Sequence, residues 1–341
     1  MKKKLILLVV VFVLLCAPVA AAQADGTIVE NEPCPANPSS TFEQYVEAEK
    51  KSYAEEIEEA RQEGFTMSMP ANFTDTLLDR KEFERRKAYR GFECRRIKYL
   101  SDGLKVVGFI WKPKSTEGKK LPLIIYNRGG VGDYGKLTPW VREGFYYFLE
   151  QGFTVIGSQY RGNDGGEGKE ESGGADVRDV VNLIPLARSL GYVDMNNVFM
   201  WGQSRGGMMT YLALRNNVAV NAAATTGGIA DLFAMVKRRP IFLERVYPQL
   251  IPGFNKHPEE SLRERSAVYF ADRINTPLLL MQGTADWRVD AGSNALVLAQ
   301  KLQEHGKTYQ LIVYSKDDHQ LTLNRADRDK GIVEWFKKYM K

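Results

Sequence analysis

The sequence predicts a doubly wound α/β fold, in which a mostly parallel sheet is entered through an antiparallel hairpin and preceded by a small helical segment. Three observations carry this reading. Cys94–Leu100 and Leu104–Trp111 flank Ser-Asp-Gly, the pattern of a β-hairpin. Apolar runs near 121–127, 153–159, 197–202, 277–282 and 309–314, with a weaker one near 218–226, then alternate with helical patterns near 138–151, 177–189, 206–216, 292–305 and 326–340. Residues 231–271 break the alternation and read as a helical insertion near the strand ends.

Before the hairpin the chain has a different character. Lys2, Lys3 and Lys4 lead into an apolar run from Leu5 to Leu15, and Ala22-Gln23-Ala24 has the small-residue pattern of a cleavage site. Residues 1–24 therefore read as a signal peptide, Asp25 as the first mature residue, and the protein as exported to a periplasmic or extracellular space. A retained anchor is the alternative, against which the apolar core is short for a bilayer span. No stable membrane insertion is expected after cleavage. Cys34 and Cys94 then remain, either as one disulfide or as two reduced thiols.

Residues 25–90 form the helical N-terminal segment. Ser40-x-x-Glu43 reads as a capping box opening a helix with Phe42, Tyr45, Val46, Tyr53, Ile57 and Ala60 along one stripe, interrupted by Glu49 and ending at Gly64. A second, highly charged helix is expected from 76 to 89. Their charges read as solvated faces without a catalytic role. Residues 91–341 form the main domain.

With 341 residues, 44% of them hydrophobic, the chain is long enough to bury a sizeable core. The net charge of +5 falls to +2 without the leader's three lysines, too weak an excess to propose nucleic acid as a partner. The chain has three histidines and no His-Glu-x-x-His, so no metal site is expected, and no cofactor is called for.

The chemistry centres on Gly202-Gln203-Ser204-Arg205-Gly206, set between the strand "NNVFMW" and the helical "MMTYLALR". A sharp strand-to-helix turn holds a serine hydroxyl out at the sheet's edge, and the flanking glycines keep side chains out of the turn. A serine needs a base, and the base an orienting acid, in the chain order Ser, Asp, His for this architecture. His319, on the loop after "TYQLIVY", has the setting of a base. His305 closes a helix, and His257 lies in the insertion. Asp286, just past a strand end, is the candidate acid, with Asp290 as runner-up. Asp317 and Asp318 read as shaping the histidine loop.

From about residue 94 onward the chain resembles the catalytic domain of the prolyl oligopeptidase family of serine peptidases. "GQSRGG" resembles that family's nucleophile motif, "QGTADWRV" its acid motif and "SKDDHQL" its histidine loop. "QYRGNDGGEG", with Asp176 and Asp179, resembles a further family stretch. The resemblance implies an α/β-hydrolase fold and the triad Ser204, Asp286 and His319. It does not extend over a β-propeller, which family peptidases usually carry.

The glycine-rich "NRGGVGDYGK" also spells G-x-G-x-x-G and most of a P-loop. Leu137 stands where a P-loop needs Ser or Thr, and Asp133 would face phosphate with its own charge. The loop reads instead as an oxyanion loop, its Gly129 region supplying a donor beside the backbone N–H of Arg205. Arg128 occupies the position where family members carry Tyr or His. Backbone amides suffice there, or the guanidinium assists the oxyanion or binds a substrate carboxylate. Arg161 is either structural or a substrate contact. The expected substrate is a small peptide or an ester cleaved through an acyl-enzyme, with a carboxylesterase as the alternative and a nucleotide-binding or non-catalytic binding protein as a remote one. The oligomeric state is left open.

Overall fold

The computed structural model describes residues 23–35, 41–114, 118–139 and 143–341. Residues 1–22 of the expected signal peptide and Ser40 of the expected capping box lie outside the described residues. No described helix is long and apolar enough to cross a membrane.

Nine strands form one sheet: β1 (Ile28–Pro33), β2 (Phe92–Ser101), β3 (Leu104–Pro113), β4 (Leu121–Asn127), β5 (Thr154–Ser158), β6 (Val193–Gln203), β7 (Ala222–Thr226), β8 (Leu278–Gly283) and β9 (Tyr309–Tyr314). Their spatial order is β1-β2-β3-β5-β4-β6-β7-β8-β9. The pairs among β1, β2, β3 and β5 are antiparallel, and those from β5 through β9 are parallel. This is the α/β-hydrolase arrangement, with the hairpin where the sequence puts it. β1 was not foreseen. "IVENEP" is polar and exposed along half its length, and only pairing with β2 makes it a strand.

The helices are α1 (Phe42–Gln62), α2 (Arg80–Ala88), α3 (Glu143–Glu150), α4 (Val177–Val181), α5 (Leu183–Ser189), α6 (Arg205–Arg215), α7 (Leu232–Arg238), α8 (Tyr247–Leu250), α9 (Pro258–Arg265), α10 (Val297–Glu304) and α11 (Arg325–Lys338). α1 is capped by Thr41: Thr41 and Gln44 exchange side-chain and backbone hydrogen bonds at 2.8 and 3.2 Å. α2 starts later than expected because the Asp79 carboxylate accepts the Glu82 N–H at 2.7 Å and sets a new N-cap. The expected helix at 177–189 is broken at Asn182 into α4 and α5.

Alternating side chains sort the strands onto two cores. On one face Leu123, Ile125 and Met200 pack with Leu183, Met208 and Leu212 of α5 and α6. On the other, Ile124, Tyr126, Phe199 and Trp201 pack with Phe145, Phe148 and Phe336 of α3 and α11. The N-terminal segment has a separate small cluster of Tyr53, Phe73 and Leu77. A Cys34–Cys94 disulfide joins the end of β1 to β2, and the 60-residue separation spans α1 and α2. The sheet order reverses around β4, whose neighbours are β5 and β6. The crevice at such a switch point is where ligands bind in open α/β sheets.

Candidate active site

Register explains why distant residues meet. Asn127 at the end of β4 pairs with Gly202 on β6, so the loops leaving these strands start side by side. Gly129 faces the nucleophile closely: a Cβ built on it would lie 3.1 Å from the Ser204 Cβ. Ser204 has φ +57° and ψ −122°, a conformation a non-glycine residue rarely holds. Its N–H donates to the Thr226 carbonyl at 2.9 Å, and its own carbonyl accepts the Gly207 N–H at 2.8 Å. Gly206 permits the turn, since a Cβ there would fall 1.9 Å from the Asn127 carbonyl oxygen.

His319 approaches the same turn from the opposite side. A Cβ on Gly227, the residue after Thr226, would lie 2.9 Å from the His319 ring. The chain neighbours of the two residues also touch, for the Gln203 amide donates to Gln320. His319 Nδ1 lies 2.7 Å from Asp286 Oδ2. Asp286 is 3% exposed and its carboxylate is saturated: Gln282 Nε2 donates to Oδ2 at 2.7 Å, and the N–H groups of Arg288 and Val289 donate to Oδ1 at 2.9 and 2.8 Å. Asp290, the runner-up, caps the next turn through Ser293. Asp317 and Asp318 accept backbone N–H groups from Asp318, Gln320, Thr322 and Leu323, shaping the histidine loop as the sequence suggested.

The glycine loop is held from beneath by buried arginines. Arg128 is fully buried and donates to the carbonyls of Gln159, Gly129, Gly132 and Tyr134 at 2.9, 3.1, 3.1 and 3.3 Å. Burial, then the Arg205 charge, pushes its pKa down from the ordinary value. The expectation that its guanidinium assists the oxyanion or binds a carboxylate is therefore corrected, because its donors are spent on backbone carbonyls and it is out of solvent. Arg205 Nη1 donates to the Gly130 carbonyl at 3.0 Å and to Glu170 at 2.7 Å, and Nη2 to Asp176 at 2.7 Å. Glu170 in turn accepts the Gly132 N–H at 2.8 Å. Both guanidinium groups lie over the Tyr160 ring, at 5.1 and 4.8 Å from its centroid. Arg161 is committed to Asp179 and Asp102 at 2.8 and 2.9 Å with a side chain 7% exposed, so the substrate-contact reading of Arg161 is corrected to a structural one. Among the described residues, the N–H groups of Gly129 and Arg205 make no backbone hydrogen bond.

Tyr160, Glu170 and Gln282 escaped the sequence reading. Glu170 stands in "GKEES", which looks like a solvated charge run, and no local pattern marks Gln282 as a partner of Asp286. A cavity of about 590 Å³ runs between α1 and the sheet edge. It is lined by Gln203, Gln320, Tyr126, Trp201 and Arg288, among others, and so opens beside the neighbours of Ser204 and His319. No group of three or more metal-ligating side chains occurs among the described residues.

Known proteins of this architecture match the chain over the same region. "Uncharacterized peptidase YtmA" of Bacillus subtilis is 29% identical over 243 residues, covering 71% of this chain and 92% of that protein. "Acylamino-acid-releasing enzyme 1" of Oryza sativa subsp. japonica is 28% identical over 262 residues, 71% of this chain but only 33% of the relative. The solved Pyrococcus horikoshii acylaminoacyl peptidase superposes with a TM-score of 0.66 at 24% identity, covering 78% of this chain and 44% of its own. The described residues before β2 are a strand and helices, with no propeller among them. The model of the prolyl oligopeptidase family matches residues 139–341, more than half the chain, and the protein accordingly belongs to that family as a serine hydrolase of the prolyl oligopeptidase type.

Proposed function

We propose that the protein is an exported peptidase that cleaves short peptides through a covalent Ser204 acyl-enzyme. The observation that carries this reading is the His319–Asp286 pair, 2.7 Å apart and buried, set across one turn from a serine held at φ +57°. Asp286 accepts a hydrogen bond from Nδ1–H, which keeps the proton there and leaves Nε2 with its lone pair free to take the Ser204 proton. The serine oxygen attacks the substrate carbonyl. The N–H groups of Gly129 and Arg205 stabilise the oxyanion, and His319 returns the proton to the leaving amine. Water activated by His319 then releases the acyl group.

Two further points support the details. Peptidase rather than esterase chemistry follows the relatives' printed names, since the same triad serves both reactions. The Cys34–Cys94 disulfide supports an oxidising compartment, in line with the leader-like N-terminus. Purified protein and a Ser204→Ala variant are treated with a fluorophosphonate probe, and only the former is expected to be labelled. Labelling of both, or of neither, overturns the reading. Turnover of aminoacyl and prolyl anilides against p-nitrophenyl esters then decides between peptidase and esterase, with the anilides expected to be the better substrates.

A further inference from the structure

Glu49, Tyr53, Glu56, Ala60 and Glu63 recur along α1 and its C-cap at spacings of four, three, four and three, which places them on one face. In the sequence Glu49 looks like a flaw in an apolar stripe. In the structure the acidic members of this face, with Glu59 beside them, meet arginines of the loops at the active site. Glu59 receives Arg288 through both oxygens, Nη1 at 2.7 Å and Nη2 at 2.6 Å, and Glu56 receives Arg288 Nε at 3.1 Å. Glu63 and Glu59 both receive Arg239, whose side chain, like that of Arg288, is 8% exposed. Glu49 receives Arg325 at 3.1 Å, at the start of α11 just past the histidine loop.

Arg288 is directly tied to the acid, and Arg238, the chain neighbour of Arg239, to the acid turn. The N–H of Arg288 itself donates to Asp286 Oδ1, and Arg238 donates to the carbonyls of Trp287 and Asp286 at 2.8 and 3.4 Å. Apolar packing shares the work, for the Phe65 ring, just past α1, lies 5.6 Å from that of Trp287 in the acid turn, while Tyr53, beside Ala60, packs with Phe73 and Leu77. Ion pairs are what connect α1 itself to that turn.

We infer that α1 is a positioning element of the reaction: Glu56 and Glu59, through the forked guanidinium of Arg288, hold the 286–289 turn so that Asp286 stays aligned with His319. A bidentate Arg–carboxylate contact fixes orientation as well as distance, and fixing the Arg288 guanidinium fixes the peptide that donates to Asp286. Removing the carboxylates leaves a buried cation without a partner, which relaxes toward solvent and takes the turn with it. The inference rests on the triad reading of Ser204, Asp286 and His319.

The test uses p-nitrophenyl acetate, too small to need a wall built by α1, together with the rate of fluorophosphonate labelling. The Glu56→Gln/Glu59→Gln variant keeps side-chain size and helix propensity while removing both charges. Its kcat on the acetate and its labelling rate are expected to fall about tenfold, with KM unchanged and the helical circular dichroism retained. Activity equal to wild type on both small probes overturns the inference, even if longer peptides are cleaved more slowly, because α1 would then only shape a substrate wall. If the double variant does not fold, Arg288→Lys, which keeps the charge but loses the fork, is judged by the same criterion. Failure of the triad reading shows separately, as labelling of Ser204→Ala.

Discussion

Replacing Arg128 with Met tests whether the glycine loop is held in place by a buried cation. The change removes five hydrogen bonds to four carbonyls, those of Gln159, Gly129, Gly132 and Tyr134. Gln159 is fully buried, so its carbonyl loses a partner that water does not replace. The other three acceptors lie on a loop that is partly exposed and recover some hydration. An orphaned buried acceptor costs about 1–3 kcal/mol, and relief of the buried charge offsets part of the total, so a net loss of about 2–3 kcal/mol is expected. In a protein of this size that lowers Tm by about 3–4 °C. The kinetic effect is the sharper one. In the proposed mechanism the Gly129 N–H meets the oxyanion; with the loop free to move that donor is lost, which lowers kcat about 10²–10³-fold. Thermal melts and steady-state turnover of a small neutral ester, which carries no carboxylate, measure both. A kcat close to wild type, with KM raised only for substrates bearing a carboxylate, would refute this reasoning. It would mean that the guanidinium reaches substrate after all.

Two further outcomes follow from contacts outside the triad. The Cys34–Cys94 disulfide closes a loop of 60 residues around α1 and α2, and its loss in a Cys34→Ser/Cys94→Ser variant should cost about 2–4 kcal/mol in urea unfolding; unchanged midpoints would show that the crosslink constrains nothing. Burial opposes the charge of Glu170, but Arg205, the Gly132 N–H and the Asn163 amide outweigh it and hold its pKa below the ordinary 4.5. A depressed folded pKa contributes stability above the unfolded value that is lost as pH falls through the folded one. Glu170→Gln should therefore be less stable than wild type at neutral pH, and the gap between them should narrow below pH 4.5 in urea melts across pH. A gap that stays constant with pH would show that the carboxylate's charge plays no part.

What was legible in the sequence is what local pattern encodes. The apolar runs that became β4, β5, β7 and β8 are buried on both faces and needed no partner to be recognised. The elbow was legible because Gly202 and Gly206 answer a local steric demand, and His319 because strand ends collect functional loops. β1 was not legible, since its identity depends on β2, some 60 residues on. The meaning of the acidic residues on α1 was hidden for the same reason. Glu59 and Glu63 find partners 229 and 176 residues away, and by composition alone they resemble any solvated helix face. Arg128 was left open for an instructive reason: its position in the motif allowed a part in the reaction, whereas its partners are carbonyls whose directions only the folded loop defines.

Those carbonyl directions also argue against reading the G-x-G-x-x-G loop here as a phosphate cradle. An anion site of that kind needs successive N–H groups converging on one point, with the carbonyls turned away. In this loop the carbonyls of Gly129, Gly130, Gly132 and Tyr134 turn toward Arg128 or Arg205, and that of Arg128 accepts the Tyr160 hydroxyl at 2.9 Å. Because a trans peptide points its C=O and N–H in opposite directions, pinning the Arg128 carbonyl on Tyr160 aims the Gly129 N–H the other way. Gly130, at φ +72°, lets the chain reverse there, and a Cβ would meet the Tyr134 carbonyl at 2.0 Å. A phosphate entering the underside would face lone pairs, whereas the Gly129 N–H is turned away from Tyr160 and Gly129 itself stands close to Ser204. In the proposed mechanism that amide meets the oxygen of the tetrahedral intermediate, and two buried cations, Arg128 and Arg205, hold the loop beneath it.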